Sequence, residues 1–170
     1  GLLDSIKQKL LETNSNPDTE EWVLLEKIHG SNSSYIYSYE DDEFTYTLGK
    51  RNGPVTSKEY KSFFNIGAAY EPYLDRLRDL CEAACYEMGL DHRHHQVVVY
   101  SELYGGKVQK GMRYHTQESI LIFDIRVDNT FLSYEQMARL TKQVDLPTVP
   151  LVQKGTLDEL IESFHPKLED

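Results

Sequence analysis

The residues best suited to chemistry lie in the run Glu26-Lys27-Ile28-His29-Gly30-Ser31-Asn32. Lys27 follows the apolar segment Val23-Leu24-Leu25 and stands three residues before Gly30. A strand end fixes a lysine in place, and a nearby glycine lets backbone approach a bulky ligand. At its ordinary pKa of about 10.4 a lysine amine is a poor nucleophile. A hydrophobic pocket or neighbouring cations lower that value and free the amine for covalent attack. Arg51 or a metal ion would supply such positive charge. Taken alone, a lysine three residues from a glycine also describes an ordinary surface lysine before a turn. A second odd residue is Glu102, a carboxylate interrupting an apolar strand pattern, which marks a candidate site. By position alone Arg51 reads as a turn residue and Phe123 as core.

These residues need elements to hold them. Trp22–Leu25, Ser34–Tyr39 and Glu43–Leu48 read as strands, with Asp41-Asp42 as the turn of a hairpin. Gly49–Pro54 reads as a glycine-rich loop after a strand. Leu74, Leu77, Cys81, Ala84 and Met88 recur at steps of three and four, which predicts an amphipathic helix over 72–89 ended by Gly89. Residues 96–103 and 119–127 form apolar runs continuous enough to predict strands buried on both faces. Ser133–Gln136 and Thr156–Glu159 have capping-box spacing, and the first opens a helix to about Lys142. Residues 2–12 also read as a helix. The order of strands, helix, strands and helices is that of an α+β fold with hairpins.

The chain has 170 residues, room for one domain with a core of its own. No run approaches the roughly 20 apolar residues of a helical membrane span, so no membrane partner is expected. The formal net charge of −10 argues against non-specific nucleic-acid binding. Its distribution changes that reading: residues 1–43 carry −7, residues 155–170 carry −4 and residues 44–154 carry +1. The acidity belongs to the flanks, and the middle is free to present a local basic groove. Lys107, Lys110 and Arg113, interleaved with Tyr104 and Tyr114, read equally as a nucleic-acid-facing strip or a solvated hairpin. Cys81 and Cys85 stack on one predicted helix face and read as reduced residues in or near the core. Reduced thiols suit an intracellular compartment, cytoplasm or nucleus, with a viral or organellar source equally compatible. A zinc site joining them to His92 and His94 fits no standard ligand spacing.

The 26–32 run resembles motif I of the covalent nucleotidyltransferases, which comprise RNA ligases, DNA ligases and capping enzymes. His29 before Gly30, where most DNA ligases and capping enzymes have aspartate, is similar to the RNA ligase 2 branch, including the RNA-editing ligases. Further motifs follow in the family's order. Lys50-Arg51-Asn52-Gly53 resembles motif Ia, Tyr100–Gly106 motif III, and Ile122–Ile125 motif IIIa followed by Phe131–Ser133. Val149–Leu151 and Gly155–Glu159 resemble the approach to motif IV. The resemblance covers residues 22–164 and implies an adenylation-domain nucleotidyltransferase fold of antiparallel sheets flanked by helices.

The resemblance also implies roles. Lys27 would attack the α-phosphate of ATP, and Glu26 would read the adenine edge. Asn32 would contact phosphate or an RNA terminus, and Arg51 would bind ribose or phosphate. Glu102 would accept a hydrogen bond from a ribose hydroxyl, and Phe123 would stack on adenine. Magnesium or manganese would serve as the metal, and the partners would be RNA 5′-phosphate and 3′-hydroxyl ends. The family's motif IV glutamate and motif V lysine pair have no counterpart: Glu159 and Glu162 lie on a helical pattern, and Lys154 and Lys167 have no paired lysine. Residues 1–170 are therefore expected to be the N-terminal part of one adenylyltransferase domain, incomplete at the C-terminus. Two alternatives stand beside this: a chain completed by a separate C-terminal piece, and a minimal version that binds nucleotide or RNA without ligating. Guanylate transfer in RNA capping is the alternative activity.

Overall fold

A computed structural model describes residues 22–25, 30–50, 53–56, 65–105, 119–160 and 162. Eight strands and three labelled helices are defined among them. The strands are β1 (Trp22–Leu25), β2 (Ser31–Glu40), β3 (Glu43–Lys50), β4 (Gly53–Pro54), β5 (Val97–Tyr104), β6 (Ser119–Val127), β7 (Thr130–Phe131) and β8 (Leu151–Gly155). The helices are α1 (Ile66–Tyr70), α2 (Leu74–Glu87) and α3 (Tyr134–Gln143). The chain divides into two compact units, residues 28–149 and residues 1–27 with 150–170.

The larger unit is built on a six-stranded antiparallel sheet in the order β4-β3-β2-β5-β6-β7. β2 and β3 are joined by the expected two-residue turn, in which Asp41 and Asp42 both have positive φ, 50° and 62°. Positive φ at both central residues gives a turn whose twist matches that of the strands it joins. β2 alternates: Ser33, Tyr35 and Tyr37 are buried, while Asn32, Ser34 and Ile36 lie on the other face. Helices cover the first face. α2 buries Leu77, Leu80, Cys81, Ala84 and Cys85 against it, and α3 adds Met137 and Leu140. The one hydroxyl pair in this core is satisfied internally: Ser33 Oγ and Tyr70 Oη lie 2.8 Å apart. Burial pushes the Tyr70 phenol up to about 12.

Both helix ends obey local rules. Ser133 Oγ accepts from the Gln136 N–H while the Gln136 carboxamide accepts from the Ser133 N–H, a complete capping box. α2 stops at Gly89 (φ 71°), where Gly89 N–H donates to Tyr86 O and Leu90 N–H to Cys85 O. This pair of bonds satisfies carbonyls that the helix end would otherwise leave orphaned.

Three expectations need correction. Beyond Val98, which is buried on the other side, β5 and β6 are buried on one face only, and the rest of their other face is half-buried because no described helix packs there. Gly49 and Lys50 continue β3 rather than opening a loop, and Gly53–Pro54 returns as β4. The predicted 72–89 helix is one piece of a longer helical stretch, with α1 and a 3₁₀ turn at Glu71–Tyr73 before it. Pro72 sits in that turn, and its missing N–H favours a break in the ladder there.

The second unit contains β1 paired antiparallel with β8, from Trp22 opposite Gly155 to Leu25 opposite Leu151. The second capping box is also present: the Thr156 N–H donates to Glu159 Oε1, and the Glu159 N–H donates to Thr156 Oγ1. Residues 157–160 follow it as helix. The predicted 2–12 helix and the Lys107–Tyr114 strip lie outside the described residues.

Candidate functional site

The site residues predicted from sequence that fall within the described residues gather on the face of the larger sheet opposite its helices. Asn32 of β2 stands directly across from Glu102 of β5, and Glu102 stands across from Leu121 of β6. Asn32 is exposed and Glu102 half-buried. Burial pushes the Glu102 carboxyl above the ordinary carboxylate range, so the charge it carries is incompletely solvated. A half-buried carboxylate facing an open polar edge is suited to accept from a ligand hydroxyl.

Gly30 closes one end of this arrangement. A Cβ at this position would lie 2.1 Å from the Leu103 carbonyl oxygen and 3.3 Å from Glu102 Oε1. No side chain fits that gap without moving the β5 backbone. The glycine is therefore needed for close approach: it lets the backbone at the start of β2 lie against the strand that carries Glu102.

Phe123 owes its position to a β-bulge. Tyr100 pairs with Asp124 and Ser101 with Ile122, so Phe123 is the extra residue of β6. Bulges bend a strand and re-aim a side chain, and they are over-represented beside functional sites. The bulge shows in burial too: Ile120 and Ile122 face the helices, and after a step of three Ile125 and Val127 do so again. Phe123 is thereby half-buried on the open face, 6.2 Å from Tyr100 between ring centroids. Asp124 follows it, with Oδ1 accepting from the Ile125 N–H at 3.0 Å. Burial pushes the Asp124 carboxyl up to about 6, against the opposing pull of that N–H.

Glu26, Lys27 and Arg51, predicted to read, attack and grip the nucleotide in that order, lie outside the described residues. Asn32, Glu102 and Phe123 are brought onto one face. Tyr100, Asp124 and Arg126, not singled out from sequence, share it. The signal for them was the broken alternation Ile120-Leu121-Ile122-Phe123-Asp124-Ile125, which only a bulge reconciles with one buried face.

The cysteines and histidines are otherwise engaged. Cys81 and Cys85 are free thiols buried under the sheet, and burial pushes Cys85 up to about 11. His92 Nδ1 lies 2.6 Å from the Tyr37 hydroxyl, and His95 Nδ1 lies 2.6 Å from Asp128 Oδ2. Among the described residues no three His, Cys, Asp or Glu side chains gather into a metal cage.

The fold matches known structures. Naegleria gruberi RNA ligase with pyrophosphate superposes with a TM-score of 0.60 at 16% identity, over 92% of this chain and 44% of that one. A variant of the same ligase with ATP and Mn gives 0.60 at 16% identity, and an apo variant gives 0.61 at 16%, with the same coverage. At that identity the likeness is one of fold: an incomplete nucleotidyltransferase fold of antiparallel sheets and helices. The chain spans 44% of the length of the ligase it matches. The sequence itself matches the RNA ligase family over residues 20–169. A match across that much of the chain means that the protein belongs to the RNA ligase family.

Proposed function

We propose that the protein acts as an ATP-dependent RNA ligase through a lysyl-adenylate at Lys27. The observation that carries this reading is the juxtaposition of Gly30, Asn32 and Glu102 at one end of β2 and β5, with Phe123 bulged onto the same face. Gly30 is three residues from Lys27 in sequence. Nζ of Lys27 attacks the α-phosphate, a P–N bond forms, the α–β phosphoanhydride breaks and pyrophosphate leaves. The amine gives its proton to solvent. Glu102 accepts from a ribose hydroxyl, Phe123 stacks on adenine, Arg51 and Asn32 hold phosphate, and Glu26 reads the adenine edge. An RNA 5′-phosphate oxygen then takes the adenylyl group from Lys27. Attack by a 3′-hydroxyl forms the phosphodiester and releases AMP. A divalent cation, magnesium or manganese, neutralises triphosphate charge when bound. The N. gruberi structures solved with ATP, AMP and Mn support nucleotide and divalent-metal use.

The motif IV and V groups that complete this chemistry in the family would come from a C-terminal remainder of the same protein or a separate piece. Incubation of the full-length protein with α-labelled ATP should give a covalent protein–AMP adduct that hydroxylamine releases. Lys27→Ala should abolish it while circular dichroism stays unchanged. Absence of any adduct in the parent protein would sink the reading, and labelling by GTP in place of ATP would redirect it to guanylate transfer.

A further inference from the structure

The open face of the larger sheet carries more aromatic surface than the adenylate requires. Tyr100 of β5 stacks against Phe131 of β7, with ring centroids 5.9 Å apart and planes inclined by 29°. Phe123 also approaches Tyr100, at 6.2 Å and 33°. The three rings form a row joined through Tyr100, its outer member Phe131 on the edge strand β7. Its outer member is 53% exposed, although stacked on its inner side. Beside the row, the Arg126 guanidinium carbon lies 5.8 Å from the Tyr100 centroid. The Arg126 Nε is buried and has no hydrogen-bond partner. A buried donor without an acceptor costs free energy, which a ligand supplying an oxygen or ring nitrogen recovers.

We infer that the Phe131 end of this row is a stacking site for a base of single-stranded RNA, with Arg126 donating to that nucleotide. The inference rests on the ligase reading only for the identity of the nucleic acid. The chemistry of the face selects this occupant. A protein partner would be matched by contiguous aliphatic surface, but strand pairing sets Phe131 opposite Arg126 and Tyr100 opposite Asp124, and the aliphatic residue next in register, Val98, is buried. A flat ring with a half-free face, set among charged and polar groups beside a guanidinium, is what a nucleobase and its phosphate use. Phe131 lies eight residues beyond Phe123 in sequence, yet β6–β7 pairing returns it opposite Arg126.

The test uses the full-length protein and a 5′-fluorescein-labelled single-stranded oligoadenylate with a free 3′-hydroxyl, read by anisotropy, with protein–AMP labelling measured in parallel. Phe131→Ala should weaken RNA binding about tenfold, leave AMP labelling at the parent level, and be rescued by Phe131→Trp. Arg126→Gln should weaken binding and reduce the salt dependence of log K by about one phosphate's worth. Parent-like RNA binding by Phe131→Ala overturns the inference. So does loss of AMP labelling in that variant, which would place the ring in the nucleotide pocket. A changed oligomeric state with unchanged RNA binding overturns it as well, assigning the ring to a protein contact. If the parent binds RNA through Phe131 but forms no AMP adduct, the ligase reading fails and this inference stands.

Discussion

The two faces of the six-stranded sheet are made by the same strands, and adjacent residues divide between them. On β5, Val97, Val99, Ser101 and Leu103 are buried beneath helices α1–α3, while Tyr100, Glu102 and Tyr104 are half-buried on the other side. On β6, Ile120, Ile122, Ile125 and Val127 join the first set and Phe123, Asp124 and Arg126 the second. The helix-backed face is apolar; of its hydroxyls, Ser33 and Tyr70 pair with each other while Ser101 Oγ has no partner. The open face holds carboxyls raised by burial, an arginine N–H without an acceptor and a row of rings. Burying such groups costs stability that the backed face must offset, and natural proteins accept that cost where a ligand binds.

The contrast can be broken by substitution. The largest effect should come from the backed face: Leu80→Ala empties a fully buried position under the sheet. It should lower unfolding free energy by about 2–5 kcal/mol in urea denaturation. A cost below about 1 kcal/mol would mean that this face is not the packed core. The open face should behave in the opposite sense. Because burial raises the folded-state pKa of Asp124 from 3.8 to about 6, the folded protein takes up a proton on acidification before the unfolded chain does. Its contribution to stability therefore grows as pH falls from about 6 to about 4 and is least favourable above 6. Asp124→Asn, which keeps an acceptor for the Ile125 N–H, should stabilise the protein at pH 7 by about 2 kcal/mol. That gain should vanish near pH 4. Melts of both proteins across this range check the sign, and a gain independent of pH would remove the carboxyl as its cause. The smallest effect lies at the rim of the backed face, where Arg78 covers the Phe44 ring at 4.1 Å and pairs with Glu82. Arg78→Gln should cost about 0.5–1 kcal/mol, part of it removed by salt.

What could be read from sequence followed the range of the forces involved. Both capping boxes, the Asp41-Asp42 turn and the Gly89 stop are settled by neighbours within a few residues, and all four occur where the spacing put them. The burial of β5 and β6 was misjudged because a run such as Ile120-Leu121-Ile122 does not disclose which face another element will cover. Only the packing of α2 and α3 decides that. Asn32, Glu102 and Phe123 were found by motif order, and the register brings them to one face. Tyr100 and Phe131 entered only as ends of motif runs and Arg126 not at all, because their meeting depends on a one-residue bulge and a return strand. Neither feature has a composition of its own.

The edges of the larger sheet carry a further consequence. Among the described residues its central strands run eight to ten residues, but the outermost, β4 and β7, have two each. β4 ends in Pro54, which has no N–H to offer. The rim of β6 is shared between β7 and a single parallel bridge from Thr148 to Ile122. A strand from another molecule finds little backbone to zip onto on β4 or β7 themselves. Borders this short limit edge-to-edge pairing through the outermost strands of a sheet rich in tyrosine, valine and isoleucine. Lengthening β7 into a regular strand is the change most apt to seed aggregation.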